Sequence, residues 1–160
     1  MNNNTLFYIL ITAAIAAFLV LLIKLYLKLR KPDITKMYRS KPILTDREYS
    51  FYEKLRELAD EYGLQIFTKV RLADLIEPKD RSDLSLWWEC FNKIKAKHID
   101  FALADRDTNI ILLIELDDST HARADRIERD EFVDAVLDNT GYTLMRTYGE
   151  TEEIEKFLSY

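Results

Sequence analysis

KHIDFALADRDTNIILLIELDDSTH, residues 97–121, decides how this chain folds. Residues 98–104 alternate, with Ile99, Phe101 and Leu103 on one side and His98, Asp100, Ala102 and Ala104 on the other, the period of a strand. Residues 110–114, IILLI, are an unbroken apolar run, the pattern of a strand covered on both faces. Asp105 to Asn109 between them has turn chemistry, so the pair reads as an antiparallel hairpin about Asp107. That fold brings Asp100 to within about one residue of facing Glu115. Glu115 and Asp117, two apart, share a face of an extended chain. Asp100, Glu115 and Asp117 thus converge at one end of a sheet and repel one another unless a cation intervenes. Mg²⁺ (or Mn²⁺), which prefers hard oxygen ligands, is the expected occupant. His121, four residues on, is the candidate proton acceptor. Solvated acidic strand ends and a surface histidine are the plainer reading of the same residues.

The N-terminus has a different character. Leu6 to Ile23, LFYILITAAIAAFLVLLI, carries no charge. At ~1.5 Å per residue its eighteen residues span about 27 Å, close to a bilayer core of ~30 Å. A bilayer is therefore expected as partner through residues 6–27, with Leu25 to Leu27 extending the span where Lys24 snorkels. A cleavable signal peptide fits less well, because Met1–Thr5 has no positive charge and the apolar run is long. Lys24, Lys28, Arg30, Lys31, Lys36, Arg39 and Lys41 all follow the span and none precedes it. The positive-inside rule then sets the N-terminus outside and the remaining chain in the cytoplasm. Contact between this basic run and anionic headgroups is a further expectation, although the topogenic role alone explains the charges.

Three regions result: 1–27, a transmembrane helix and its flanks; 28–43, a basic polar linker; and 44–160, one domain. Thr45-Asp46-Arg47-Glu48 reads as a capping box opening a helix that runs to Tyr62 and closes at Gly63. Residues 65–70 form a strand of poor alternation, continued or turned into a short helix over 71–76. Asp83 or Ser85 opens a helix bearing Trp87, Trp88, Phe91 and Ile94. Its tryptophans could stack on bases, but at this spacing at least one belongs to the core. A helix over 125–139 turns Phe132, Val133, Val136 and Leu137 inward. A strand over 142–147 follows, then a short helix capped by Thr151. The order αβαββαβα suits a mixed sheet with helices on both faces and a right-handed parallel crossover near its end.

An Asp followed by a strand ending Glu-x-Asp-Asp-x-x-His resembles the PD-(D/E)xK superfamily of restriction-endonuclease-like nucleases, and within it the branch similar to very-short-patch repair endonucleases. VRLADLI (70–76), KHIDFAL (97–103), IELDDSTH (114–121) and RIERDEFVDAVL (126–137) resemble the domain-of-unknown-function 2726 family, over roughly Leu44 to Leu158. The resemblance implies an α/β, restriction-endonuclease-like domain and Mg²⁺- or Mn²⁺-dependent hydrolysis of phosphodiester bonds. Asp100, Glu115 and Asp117 would hold the metal and His121 would be the base. Lys97 or Arg123 would lie near the scissile phosphate, and Glu48, on the first helix, would be an accessory ligand. The superfamily's usual lysine, two residues after the Glu, is Asp117 here, so His121 or a nearby cation must substitute. A catalytically silent nuclease fold, serving as a membrane-tethered binding or regulatory module, is the alternative.

Charge bears on nucleic acid as a partner. The first 43 residues hold seven of the 23 Lys+Arg and one of the 28 Asp+Glu, leaving 16 basic and 27 acidic residues, a net −11, for the domain. Such a surface repels phosphate except along a local basic stripe, for which Arg71, Lys93, Lys95, Lys97, Arg123, Arg126 and Arg129 are candidates. Ordinary solvated charge explains them equally well. A lone Cys90 excludes an intrachain disulfide, and three glycines make a mononucleotide-binding P-loop implausible.

Overall fold

The computed structural model describes residues 2–30, 33–117 and 124–160, with 124–130 described by backbone alone. Two compact units divide between Lys41 and Pro42. In the first, α1 (Asn3–Leu29) is apolar enough to cross a membrane, with a mean hydropathy of 2.9 and none of that window buried. Its one hydroxyl at mid-helix, on Thr12, donates to the carbonyls of Tyr8 (3.0 Å) and Ile9 (2.9 Å), so α1 turns no unsatisfied polar side chain outward there. A 3₁₀ turn, Ile34–Met37, follows; Asp33 caps it, accepting from the Thr35 amide (3.1 Å) and hydroxyl (2.6 Å).

The second unit is a four-stranded mixed sheet with helices on both faces. α2 (Asp46–Tyr62) opens with the expected capping box: the Glu48 amide donates to the Thr45 hydroxyl, and the Thr45 amide donates to the Glu48 carboxylate. It ends at Gly63, whose φ of 66° is left-handed and favours glycine. Then come β1 (Gln65–Arg71), α3 (Leu72–Leu75), α4 (Leu84–Ile94), β2 (His98–Ala104), β3 (Ile110–Leu116), α5 (Ala124–Thr140), β4 (Leu144–Thr147) and α6 (Glu152–Leu158). Strand order is β1-β2-β3-β4, with the first two pairings antiparallel and β3–β4 parallel. The hairpin turn is built on Asp105, whose carboxylate accepts from the amides of Asp107 (2.9 Å) and Asn109 (2.8 Å).

Alternation divides the core in two. Phe101, Leu103, Leu112 and Ile114 pack against Phe51, Leu55, Leu58 and Ile154, with the Phe51 and Phe101 rings 5.3 Å apart. On the opposite face Ala102 and Leu113 pack against Leu72, Ile94, Val133 and Leu137, and Ile99 joins them rather than Phe101 and Leu103 as its alternation predicts, because the strand pairing is irregular beside the left-handed Lys69. Burying each such large side chain contributes about 1.5–3 kcal/mol, so these two clusters hold the sheet between its helices.

Some expectations shift. Of the two alternatives for residues 71–76 the short helix forms, as α3, and Asp83 caps α4, so the element order gains one helix between β1 and β2. Thr151 makes no side-chain cap at α6. Neither tryptophan is fully buried: Trp87 is half-buried, stacked on Phe91 and donating to the Pro78 carbonyl (3.2 Å), while Trp88 is 54 % exposed. The N-terminal half of α4 overhangs the core, so the helical period there marks a half-covered face.

Candidate functional site

The β2–β3 pairing runs to Phe101↔Ile114, one residue short of Asp100 and Glu115, so both carboxylates stand at the same end of the hairpin. The two carboxylates nevertheless turn to different partners. Asp100 meets Lys69, which stands opposite it on β1, between the pairs Thr68↔Phe101 and Val70↔Ile99. Lys69 Nζ lies 2.7 Å from Asp100 Oδ1 and 2.6 Å from Glu48 Oε1. The other Asp100 oxygen accepts from the Leu116 amide (3.1 Å), and the other Glu48 oxygen from the Thr45 amide (2.8 Å). Glu48 therefore caps its helix and grips the lysine at once. Lys69 has a φ of 54°, a left-handed conformation costing an L-residue about 1–2 kcal/mol.

Glu115 pairs instead with Arg146, its register partner on β4, at 3.4 Å. Arg146 also forks onto Asp134 of α5, with contacts of 2.7 and 2.9 Å. Glu115 lines a cavity of about 170 Å³ together with Lys97, His98, Ile99, Leu72 and Val133. Lys97 Nζ also sits 5.9 Å from the Phe132 ring centroid. Asp117 is fixed through its backbone: its amide donates to the Thr147 carbonyl (2.9 Å), and its carbonyl accepts from Arg47 of α2. Arg47 donates to the Tyr148 carbonyl as well (3.3 Å), so the start of α2 latches the ends of β3 and β4.

The electrostatics follow these contacts. Burial works against the charged form of Lys69, but hydrogen bonds to Asp100 and Glu48 and their negative charge outweigh it and hold the ammonium above its ordinary pKa. Glu48 is likewise desolvated, yet bonds from Lys69 and Thr45 bring its carboxyl below its ordinary value. The bond to Asp134, opposed by burial and aided by the charges of Asp134, Glu115 and Asp117, raises Arg146. Among the described residues no group of three or more His, Cys, Asp or Glu stands ready to hold a metal ion. What stands between Glu48 and Asp100 is an ammonium, a stand-in cation that shows this donor set accepts positive charge at bonding distance. A metal ion would have to displace that ammonium to use these two carboxylates.

His121 and Arg123 lie outside the described residues, as do Lys31 and the side chains of Arg126 and Arg129. Of the other stripe candidates, Arg71 is paired with Asp74 (2.6 Å) and Lys93 with Glu89 (3.6 Å), so part of that charge is spent locally. Sequence reasoning missed Lys69 and Arg146. The signal for Lys69 was the poor alternation of residues 65–70, where a cation falls at a position turned toward the sheet's own carboxylate. Arg146 had no local signal, since its pairing depends on the parallel register.

Fold and site together define a class: an α/β protein with a mixed four-stranded sheet, an acidic sheet end tied down by two basic residues, and one helix apolar enough to span a membrane. The chain belongs to the DUF2726 family, described as a protein of unknown function, which it matches over residues 40–158. No curated protein and no solved structure matches it.

Proposed function

We propose that this is a membrane-anchored, cytoplasm-facing nuclease of restriction-endonuclease-like type that hydrolyses phosphodiester bonds. The observation that carries the reading is Lys69. The strand position where the resembled superfamily keeps its lysine is Asp117, yet an ammonium reaches Asp100 from β1 instead. A lysine in contact with the first-strand aspartate is thereby restored through space.

Asp100, Glu115 and Asp117, with Glu48 as accessory, would hold Mg²⁺ or Mn²⁺. Such an ion supplies Lewis acidity and positive charge to a phosphate under attack. Lys69, kept protonated by its two carboxylates, serves as a donor to a phosphate oxygen and not as a base. His121 takes the proton from the attacking water. Lys97, at the cavity that Glu115 lines, and Arg123 would steady the substrate's phosphates. The anchor reading rests on α1 and the orientation on the basic residues that follow it.

The test is the full chain in detergent with Mn²⁺ or Mg²⁺, offered single- and double-stranded DNA and RNA at low salt. Cleavage is expected, and His121→Ala should slow it by roughly 10²–10⁴-fold. A reporter fused after Tyr160 should be active only in the cytoplasm, and an external signal would overturn the orientation. The second reading, a silent tethered binding module, draws on the same contacts, because Glu48, Asp100 and Glu115 all have protein cations already. Metal binding with no cleavage across that panel would favour it.

A further inference from the structure

The two units carry opposite charge. Residues 1–41 hold seven Lys+Arg against Asp33 alone, a net +6, whereas residues 42–160 hold 16 against 27, a net −11. An anionic bilayer surface attracts the first and repels the second. The segment after the span also has a built face. In a 3₁₀ turn side chains three apart eclipse, so Ile34 and Met37 lie on one side of Ile34–Met37. They are 64 % and 74 % exposed, and the adjoining Tyr38 is 80 % exposed. No residue of this turn is buried. Asp33, the only acid here, is absorbed by the turn: it bonds Thr35 twice and lies 3.7 Å from Lys36. Bonds from the Thr35 side chain and amide hold its carboxyl below the ordinary value, so it stays an ionised cap.

We infer that Asp33–Lys41 is a surface-binding strap for anionic phospholipid, with Ile34, Met37 and Tyr38 entering the headgroup boundary and Lys36, Arg39 and Lys41 meeting lipid phosphates. The occupant follows from charge complementarity and from the sequence distance, since Ile34 is only five residues beyond the end of α1 at Leu29. A basic segment with a few large apolar side chains and an interfacial tyrosine has the composition of a membrane-surface binder. The strap's attraction to an anionic surface opposes the repulsion that the acidic residues 42–160 would feel there. This inference rests on the anchor reading and is independent of the nuclease reading.

The full chain with Cys90→Ser would be spin-labelled at Met37→Cys or, separately, at Ala14→Cys. Each would be reconstituted in vesicles of phosphatidylcholine alone or with about 30 % phosphatidylglycerol, an anionic lipid. The ratio of oxygen to nickel-chelate collisions reads depth. The Ala14 label should be deep in both vesicles. The Met37 label should become several-fold less accessible to the chelate in the anionic vesicles only. Lys36→Glu with Arg39→Glu should abolish that difference while leaving Ala14 deep. A Met37 label equally wet in both vesicles, with Ala14 deep, overturns the strap. A wet Ala14 label overturns the anchor and the strap with it.

Discussion

Two carboxylate–cation–carboxylate arrangements sit at the same sheet end and are built differently. Glu48–Lys69–Asp100 uses a compact ammonium between two carboxylates of unrelated elements, with contacts of 2.6 and 2.7 Å. Glu115–Arg146–Asp134 uses a planar fork fastened chiefly to one carboxylate of α5, and its contact to Glu115 is the looser at 3.4 Å. On the nuclease reading a metal ion would compete for the place of the compact ammonium, whereas the guanidinium holds Asp134 by one hydrogen bond of 2.9 Å and a second close contact of 2.7 Å. The first arrangement is thus suited to exchange cations and the second to tie β3, β4 and α5 together.

Substitution of the two cations breaks this comparison most directly. Lys69→Met should slow phosphodiester hydrolysis by about 10²–10³-fold, the loss seen when a donor to a developing oxyanion is removed. It should also enlarge the rise in melting temperature on adding Mn²⁺, because two carboxylates are left without a protein cation. Arg146→Met should leave the rate within about ten-fold and lower stability by about 1 kcal/mol, a modest figure because the pair is partly exposed. Equal effects of the two changes on rate would erase the distinction.

Asp100→Asn sharpens it further. The sequence alone frames Asp100 as a source of like-charge repulsion, whose removal relieves strain in the metal-free protein. With Lys69 in contact, the same change instead weakens a formed ion pair and should lower metal-free stability by about 1 kcal/mol. It should also abolish the melting shift with Mn²⁺ or Mg²⁺. A more stable Asp100→Asn protein in thermal unfolding would return the site to simple repulsion.

The smallest effect is on pH. Glu48 titrates below its ordinary 4.5 in the fold, so its contribution is full above that value and is lost as pH falls through the lowered one. Lys69 titrates above its ordinary 10.5, so its contribution is full below that value and is lost as pH rises through the raised one. The triad is therefore intact between those limits. Glu48→Gln should flatten the acid limb of stability against pH and leave the neutral plateau's shape unchanged. An unaltered acid limb would mean that Glu48 acts only as a helix cap.

What was legible in the sequence was local. The Thr45–Glu48 capping box, the Gly63 stop and the Asp105 turn are chemistry within a few residues of itself, and each is formed. That turn sets Ala104 opposite Ile110, but a register shift between Leu103 and Ala104 moves the rest of the hairpin by one residue, to Phe101↔Ile114, and nothing in the sequence marks it. The Lys69–Asp100 contact joins residues 31 apart, and it requires β1 to pair at one register with a left-handed residue inside it. No periodicity announces such a residue. Likewise Arg146 reaches Glu115 only through the parallel β3–β4 pairing, which a crossover helix sets from outside either strand. His121 and Arg123 fall outside the described residues, so their roles stand on sequence alone.

The left-handed residue in β1 has a second consequence, for copies of the protein in one another's company. β1 is an edge strand, and an edge strand displays a row of amide and carbonyl groups that can template another chain. On the proposed anchor reading, a membrane plane would concentrate such edges. At Lys69 the extended backbone is interrupted in mid-strand, with a φ of 54° between the ladder pairs of Thr68 and Val70. A neighbour adding to this rim would lose register at that point, with a charged residue at the break. The residue that neutralises the carboxylates thereby also blunts the edge against strand-to-strand aggregation.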